Sequence, residues 1–497
     1  MTVKHIKSLR EYIDTLKVLG ELQEVDKEVD WNLEIAAITR RCYETGAPAP
    51  LFNTIRGAEK GFRVLGASAG ISRQEGLYLS RIALSLGLDP SATGQQIIHA
   101  LADARGRKGI SPKRLETGPC KENIVFGEDV DLFRFPTPLM HEGDGGRYFN
   151  TLGTIVVQSP DKKWTNWSIA RIMIVDKNRM TGIVHPLQHV GMIHKMWNEI
   201  GKPTPFALVQ GCEPFLPFVS GMPLPPFVNE GDYAGAYFGE PIEVVKCETS
   251  DLEVPASAEI VIEGTISNAE VAIEGPMGEY AGYMWDGPGI PQPVYNVSAM
   301  TFRNQPILPI TVAGGPVDED HTAWGLPLAA EALVQLREHG LPVSMTWAPF
   351  ESAIHWLVVT VPRSWRKQIN CTAEQLCQKI GSILFEAKCG LQVPKILVLN
   401  DDIDPTNLQQ LVWAFATRCH PRTGAVHFGK EIISPLVAFL KTAEKQAGIS
   451  TKVIYNCLPP DEWEDHLPKR SSFSGSFPRE LQEKVLTNWK SYGFTKP

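Results

Sequence analysis

The sequence predicts a mixed α/β (α+β) protein with a helical lead-in, a β-rich middle and an alternating strand–helix C-terminal unit. Three observations predict it. Helix-period apolar stripes open the chain. Short β-branched and aromatic runs, separated by Gly, Pro and Asp, dominate beyond about Gly118. From Glu351 onward, strand-like and helix-like segments alternate.

The first helix is marked by a Ser8/Glu11 capping box, a stripe of Leu9, Ile13, Leu16 and Leu19, and a stop at Gly20. A second is expected over Asn32 to Tyr43. The runs "TLGTIVVQ", "WTNWSIARIMIV", "PIEVVKCE", "AEIVIEGTI", "YNVSAMTF" and "ILPITVAG" read as strands of a mixed or antiparallel sheet, with a barrel as one way to close it. "LAAEALVQLREHG" reads as a bridging helix ending at Gly340. Then "ESAIHWLVVTV" and "PKILVLNDDID" read as strands, alternating with the helices "TAEQLCQKIGSILFEA" and "NLQQLVWAFATR". A last helix, "PRELQEKVLTNWKSYG", follows a Ser/Gly-rich loop and is expected to dock on a neighbour or a partner subunit.

At 497 residues, 43% apolar and 21% charged, the chain can bury a large core without disulfides or metals. Its net charge of −8 argues against a nucleic-acid partner, which needs a basic surface. The nine cysteines form no CxxC and read as reduced thiols of a cytoplasmic protein. Lys4, Lys7, Arg10, Glu11 and Asp14 break any signal-peptide core. The long uncharged stretch from Pro214 to Asn229 carries five prolines, so no membrane span is expected.

Several residues could carry chemistry. Strict alternation in "WTNWSIARIMIVD" puts Trp167, Ile169, Arg171, Met173 and Val175 on one face. An arginine there needs an anion, either a ligand or a glutamate that merely holds the fold. Asn166 and Ser168 fall on the other face, so a shared site needs a twist or bulge. A helix from about Pro186 to Gly201 would carry His189, Ile193, Met196, Trp197 and Ile200 on one stripe, leaving His194 off it. His189 then sits in the first turn, as an anion-facing residue or a core histidine. Glu230, in "VNEGDY", reads alone as an exposed loop acid. Asn166, His189 and Glu230 together suit a hard cation such as Mg²⁺ or Mn²⁺, although their spacings of 23 and 41 match no local motif. Lys388 could reach a phosphate or end a helix in solvent. No Walker loop, GxGxxG or GxSxG accompanies it. Finally, "EGPMGEYAGY" bends twice between Glu274 and Glu279, which can aim both acids into one cavity. Solvated acids on a loop tip are the alternative, and Met277, Tyr280, Tyr283, Met284 and Trp285 argue against it.

"TNWSIAR", "PLQH", "VNEGDY", "EGPMGEYAGY" and "DEDHT" occur in the order and spacing of the UbiD-type decarboxylases, which the chain resembles over nearly its whole length. "APAPLFN", "GPCKEN", "VPASAEIVIEG" and "NWKSYGF" extend the match, which is nearest the ferulic/cinnamic acid decarboxylase branch. The resemblance implies a split β-barrel binding prenylated FMN within residues 1–320, a linking helix over 321–340, an α/β oligomerisation domain over 341–475 and a terminal helix over 476–497. It implies reversible decarboxylation of an aromatic, heteroaromatic or acrylic acid through a covalent cycloadduct with the flavin, the electron sink that no side chain provides. Arg171, Glu274 and Glu279 match the catalytic network, with Glu279 as proton donor. Asn166, His189 and Glu230 match ligands of Mn²⁺ (or Mg²⁺). Trp167, Val219, Ser220, Met222 and Glu230 match the K⁺ site. Ser168, Ile169, Ala170, Gln188 and Lys388 join Asn166, Arg171, His189, Met222 and Glu230 around the cofactor.

The resemblance also implies a flavin prenyltransferase as cofactor supplier and a homodimer or higher homo-oligomer. His185, Tyr280, Trp324, Ser434 and Leu436 match the substrate pocket. "HTAWG", with Trp324, is similar to pyrrole-2-carboxylate decarboxylases, so an aromatic or heteroaromatic acid is expected over a cinnamate. A cinnamate or ferulate decarboxylase giving styrenes is the first alternative. An ordinary FMN oxidoreductase and a catalytically silent scaffold are the other two.

Overall fold

The computed structural model describes residues 4–463 and 468–495. Residues 1–3 and 496–497, at the ends of the first and last expected units, and 464–467 in the third, lie outside the described residues.

The lead-in forms as its caps dictate. Helix Leu9–Leu19 starts at Ser8, whose side chain accepts from the Glu11 amide, and stops at Gly20 with φ +74. Glu11 reaches back one residue further than a capping box requires, to the Lys7 amide. The second helix runs Glu34–Thr45, two residues later than expected at each end. Strands Leu22–Val25, Ala49–Phe52 and Arg63–Gly66 form a small sheet completed by Ile307–Ile310.

Two β-runs therefore leave the expected central sheet. Ile307–Ile310 pairs with the lead-in, and Glu243–Lys246 joins a separate three-stranded sheet with Lys113–Leu115 and Glu253–Pro255. The central sheet has nine strands, paired antiparallel throughout. Along its path Ile172–Ile174 is second and Thr165–Ser168 is eighth. In a flat sheet those strands would lie about 29 Å apart. Yet only Ile169, Ala170 and Arg171 connect them, and Ser168 to Ile172 spans at most about 14 Å of chain. The sheet must roll until its two ends nearly meet, which makes it a split barrel with residues 169–171 bridging the split.

The expected continuous alternation through "WTNWSIARIMIVD" fails for this reason. Asn166 and Trp167 are both buried, and the strand breaks before Arg171. The bridging helix is longer than expected, Glu319–Glu338, and takes Pro327 into its interior. Beyond it, Met345–Trp347, Trp356–Val361, Lys395–Asn400, Ile449–Asn456 and Ala425–Ile432 form a five-stranded sheet with parallel centre and antiparallel edges. Helices Ala373–Glu386 and Leu408–Arg418 fall where the alternation predicts. Phe473–Ser476 adds a short helix inside the expected Ser/Gly loop. The terminal helix is Arg479–Thr487, and none of its residues is buried. No helix among the described residues is long and apolar enough to cross a membrane.

Candidate active site

The site forms where the barrel is split. Glu274 ends the long strand Ile260–Glu274 and is 1% exposed, so it is no loop-tip acid. Gly275 turns the chain at φ +84, a conformation glycine adopts without strain. The chain then returns through Glu279, whose amide donates to the Tyr283 carbonyl at 3.0 Å. Arg171, on the three-residue bridge, reaches both acids. Its Nε donates to Glu274 Oε1 at 2.8 Å and its Nη2 to Oε2 at 3.1 Å, while Nη1 donates to Glu279 Oε1. Burial works against the guanidinium charge, but Glu279 and Glu274 outweigh it and hold the group fully protonated.

Tyr148, which nothing in the sequence singled out, donates its hydroxyl to Glu274 Oε1 at 2.8 Å. Its buried phenol is pushed well above its ordinary range, first by desolvation and then by the Glu274 charge. Glu274 thus accepts three hydrogen bonds, which fits an ionised carboxylate. Among the described residues Glu279 accepts one, leaving its second oxygen free.

A second cluster lies on the neighbouring strand. Asn166 Nδ2 donates to Glu230 Oε1 at 2.7 Å and lies 3.3 Å from His189 Nδ1, which is 3.6 Å from Glu230 Oε1. All three residues are at most 2% exposed. Glu230 opens helix Glu230–Phe238, so the expected exposed loop acid is instead a buried one. That helix is tied to the Asn166 strand twice: the Thr165 amide donates to Asn229 Oδ1 at 3.0 Å and the Trp167 amide to Glu230 Oε2 at 2.8 Å. His189 opens helix His189–Glu199, which starts and stops inside the expected span. His194, expected off the buried stripe, is 8% exposed and bonds Thr204 Oγ1 at 2.8 Å, whereas Ile200 beyond the helix end is 52% exposed.

The donor set fits a divalent cation. His189 Nε2 is buried without a hydrogen-bond partner among the described residues. Burial lowers its pKa and favours the neutral imidazole that a metal requires. An amide, an imidazole and a carboxylate suit Mn²⁺ or Mg²⁺. Lys388 sits in the turn Lys388–Gly390, half-buried, with its charge felt at both His189 and Glu230. Desolvation pushes its pKa down to about 8. Its ammonium has no hydrogen-bond partner among the described residues, which suits it to an anion such as a phosphate.

The remaining expected residues lie around these clusters. Ser168 Oγ donates to Asn166 Oδ1, the Ile169 amide to the Ser220 carbonyl at 3.2 Å, and Asn150 Nδ2 to the Ala170 carbonyl at 2.6 Å. The Met222 amide donates to the Val219 carbonyl at 3.0 Å. Gln188 caps the His189 helix and donates its amide to the His185 carbonyl at 2.9 Å. Tyr280 is 4% exposed and its hydroxyl has no partner among the described residues. Its ring lies 5.4 Å from Trp324 and 6.0 Å from His355.

His355 was missed by sequence reading. Its Nδ1 donates to the Ala353 carbonyl at 2.7 Å, and its Nε2 accepts from the Ala438 amide at 3.2 Å. It thereby ties the loop of Ser434 and Leu436 to Tyr280. Ala353 and Ile354 both have positive φ, which no local pattern announces. Ser434 Oγ accepts from the Leu436 amide at 3.3 Å, and among the described residues neither residue hydrogen-bonds Tyr280, Trp324 or His185.

Comparison with known proteins agrees with this architecture. Models of the 3-octaprenyl-4-hydroxybenzoate carboxy-lyase N-terminal, Rift-related and C-terminal domains match residues 13–101, 113–316 and 321–457. The chain belongs to the UbiD family. This UbiD-family chain is 44% identical over 486 residues to the pyrrole-2-carboxylic acid decarboxylase of Pseudomonas aeruginosa, covering 98% of each. It is 40% identical over 494 residues to ferulic acid decarboxylase 1 of Saccharomyces cerevisiae, again covering 98% of each. Its fold superposes on the UbiD-class enzyme HmfF from Pelotomaculum thermopropionicum in complex with FMN with a TM-score of 0.80 at 26% identity, covering 97% of this chain and 100% of that one. An evolved dimeric form of that enzyme in complex with prFMN gives 0.77 at 26% identity, covering 97% and 99%.

Proposed function

We propose that this UbiD-family chain is a prenylated-FMN-dependent carboxy-lyase that reversibly decarboxylates an aromatic or heteroaromatic carboxylic acid. The observation that carries this reading is Arg171 held between Glu274 and Glu279. The identities to pyrrole-2-carboxylic and ferulic acid decarboxylases and the FMN- and prFMN-bound neighbours support it.

Prenylated FMN, when bound, supplies the electron sink for the pair released as the bond to CO₂ breaks at an sp² carbon. Asn166, His189 and Glu230 would hold Mn²⁺ or Mg²⁺, and Lys388 would offer its ammonium to the cofactor phosphate. Ser168, Ile169, Ala170, Gln188 and Met222 would line the cofactor. Backbone oxygens near Trp167, Val219, Ser220 and Met222, with Glu230, would hold K⁺. Residues 1–320 would be the cofactor-binding part.

Arg171 orients the substrate carboxylate, because its guanidinium is the cation at the split and Glu274 fixes its plane. Glu274 accepts from three donors and holds Arg171 in place. Glu279, when protonated on its free oxygen, delivers that proton to the carbon that CO₂ has left. In the reverse direction the same carboxylate takes that proton back, and CO₂ pressure sets the direction. Tyr280, Trp324, His355 and His185 favour a flat ring carrying a polar group. Cytoplasmic location, a prenyltransferase supplier and a homodimer or larger homo-oligomer complete the proposal.

An ordinary FMN oxidoreductase is the competing reading. The two separate when the chain is loaded with prenylated FMN or with FMN. CO₂ release from pyrrole-2-carboxylate only in the prenylated form supports the proposal. NAD(P)H-dependent flavin reduction with plain FMN, and no CO₂ release in either form, overturns it.

A further inference from the structure

We propose that two histidine–aspartate pairs, His141–Asp144 and His321–Asp318, are positioning residues that clamp the turn carrying Glu279 from its two sides and fix where its carboxyl group presents a proton. The inference rests on the proton-donor reading of Glu279.

The turn needs such a device. Glu279 lies between Gly278 and Gly282, outside any strand or helix, so its own backbone holds it weakly. Within the turn, the Gly282 amide donates to the Glu279 carbonyl at 2.9 Å. The Glu279 amide also donates to the Tyr283 carbonyl at 3.0 Å, and the other holds on the turn come from distant residues. On one side the Gly278 amide donates to Asp144 Oδ1 at 3.1 Å, and the Gly145 amide donates to the Pro276 carbonyl at 2.7 Å. On the other side His321 Nε2 donates to the Tyr280 carbonyl at 2.7 Å. The residues on either side of Glu279, Gly278 and Tyr280, are therefore each gripped by one member of a pair.

Both histidines reach outward through Nε2. His321 Nε2 and His141 Nε2 each face a backbone carbonyl, of Tyr280 and Ala313, both at 2.7 Å. A carbonyl only accepts, so each Nε2 carries hydrogen. Each Nδ1 faces a carboxylate: Asp318 Oδ1 at 2.9 Å for His321 and Asp144 Oδ2 at 3.0 Å for His141. At His141 both ring nitrogens face oxygen, the arrangement of an imidazolium beside a carboxylate, whereas His321 Nδ1 also accepts from the Asp318 amide at 3.0 Å, the capping contact that opens helix Glu319–Glu338. Desolvation opposes the charge, but the aspartates outweigh it and raise both pKa values.

One segment anchors both pairs. His141 holds the Ala313 carbonyl, while Arg40 donates to the Val312 and Gly315 carbonyls and to Asp318 Oδ2 at 2.6 Å. Gly278 completes the fit, since a Cβ there would lie 2.8 Å from the His141 ring. A fold-holding role alone would not require both grips to fall on the residues adjoining the proton donor.

The test uses two disruptive variants and two conservative ones: His321→Leu and Asp144→Ala remove a grip, whereas His321→Gln and Asp144→Asn retain a donor or an acceptor. Amide exchange is measured over 276–283 in the protein without cofactor, FMN affinity is measured by titration, and kcat and KM are measured on loaded enzyme. The disruptive variants should speed exchange in that segment about tenfold or more and leave the barrel strands protected. They should lower kcat roughly tenfold or more with KM and FMN affinity unchanged, and the conservative variants should recover most of the loss. Unchanged exchange in both Asp144→Ala and His321→Leu, or a loss confined to KM, overturns the clamp. The exchange arm reads the clamp even if the wild-type chain releases no CO₂, an outcome that would overturn the function proposed above and not the grip.

Discussion

Arg171 binds Glu274 through two parallel hydrogen bonds, Nε to Oε1 at 2.8 Å and Nη2 to Oε2 at 3.1 Å, with a Glu274 side chain that is wholly buried. The pair joins the bridge across the split barrel to the end of its longest strand, so it is both a structural tie and part of the site. Removing one partner strands the other. Arg171→Leu should cost about 3–5 kcal/mol in denaturant unfolding, because a buried carboxylate loses its cation. Adding Glu274→Gln should restore part of that loss, since the uncompensated charge is gone. Additive losses in the double variant would contradict the pairing.

The proposed cation site at Asn166, His189 and Glu230 predicts a metal dependence. In FMN-loaded protein, His189→Ala should weaken Mn²⁺ binding by at least roughly tenfold in a calorimetric titration. Chelation of the wild type should loosen FMN to a similar extent. Equal Mn²⁺ affinity in the variant would remove His189 from the ligand set.

His5, just before the first helix, contributes a pH dependence of stability. His5 Nε2 lies 2.8 Å from Glu213 Oε2 and Nδ1 lies 2.9 Å from Glu240 Oε1, with the ring stacked 3.9 Å from Phe238. Burial alone would lower its pKa, but hydrogen bonds and charge from the two glutamates raise it above the ordinary 6.5. A raised folded-state value means the bound proton stabilises the fold. That contribution is complete below 6.5 and is lost as pH rises through the raised value. The stability difference between wild type and His5→Gln should therefore be larger at about pH 6 than at about pH 8.5 in urea unfolding. A difference that grows with pH would refute the assignment.

Much of this was legible in the chain, and the gaps have local causes. Ser8 and Gly20 bound the first helix because a cap and a left-handed stop are local chemistry. Arg171, Glu274 and Glu279 could be suspected from an arginine in an apolar run and a bent acidic turn, but the family motifs assigned them. Glu230 looked exposed because its partners, Asn166 and Trp167, are more than sixty residues away in sequence. The alternation through Arg171 failed because barrel closure, a property of the whole sheet, breaks the strand there. Tyr148 and His355 act through Glu274 and Ala438, which only the fold brings near; His141 has its aspartate three residues on, but its contact with the Ala313 carbonyl is long-range. The His321 motif was visible in "DEDHT", but its contact with the Tyr280 carbonyl was not.

The orphaned Tyr280 hydroxyl predicts substrate preference. It lies buried against Trp324 and His355 with no partner among the described residues. An aromatic acid carrying a ring N–H or hydroxyl should be turned over in preference to cinnamate, and Tyr280→Phe should narrow that preference by about tenfold in kcat/KM. Turnover confined to cinnamates would reverse the reading of this pocket.

The most direct test of the central claim is the rate of CO₂ release from an aromatic acid by enzyme loaded with prenylated FMN, wild type against Glu279→Gln. The account predicts release by the wild type and a fall of at least roughly a hundredfold in steady-state turnover by the variant, with FMN affinity retained. Undiminished turnover in Glu279→Gln, or no release by the wild type across pyrrole-, furan-, indole-, hydroxybenzoic and cinnamic acids, would contradict it.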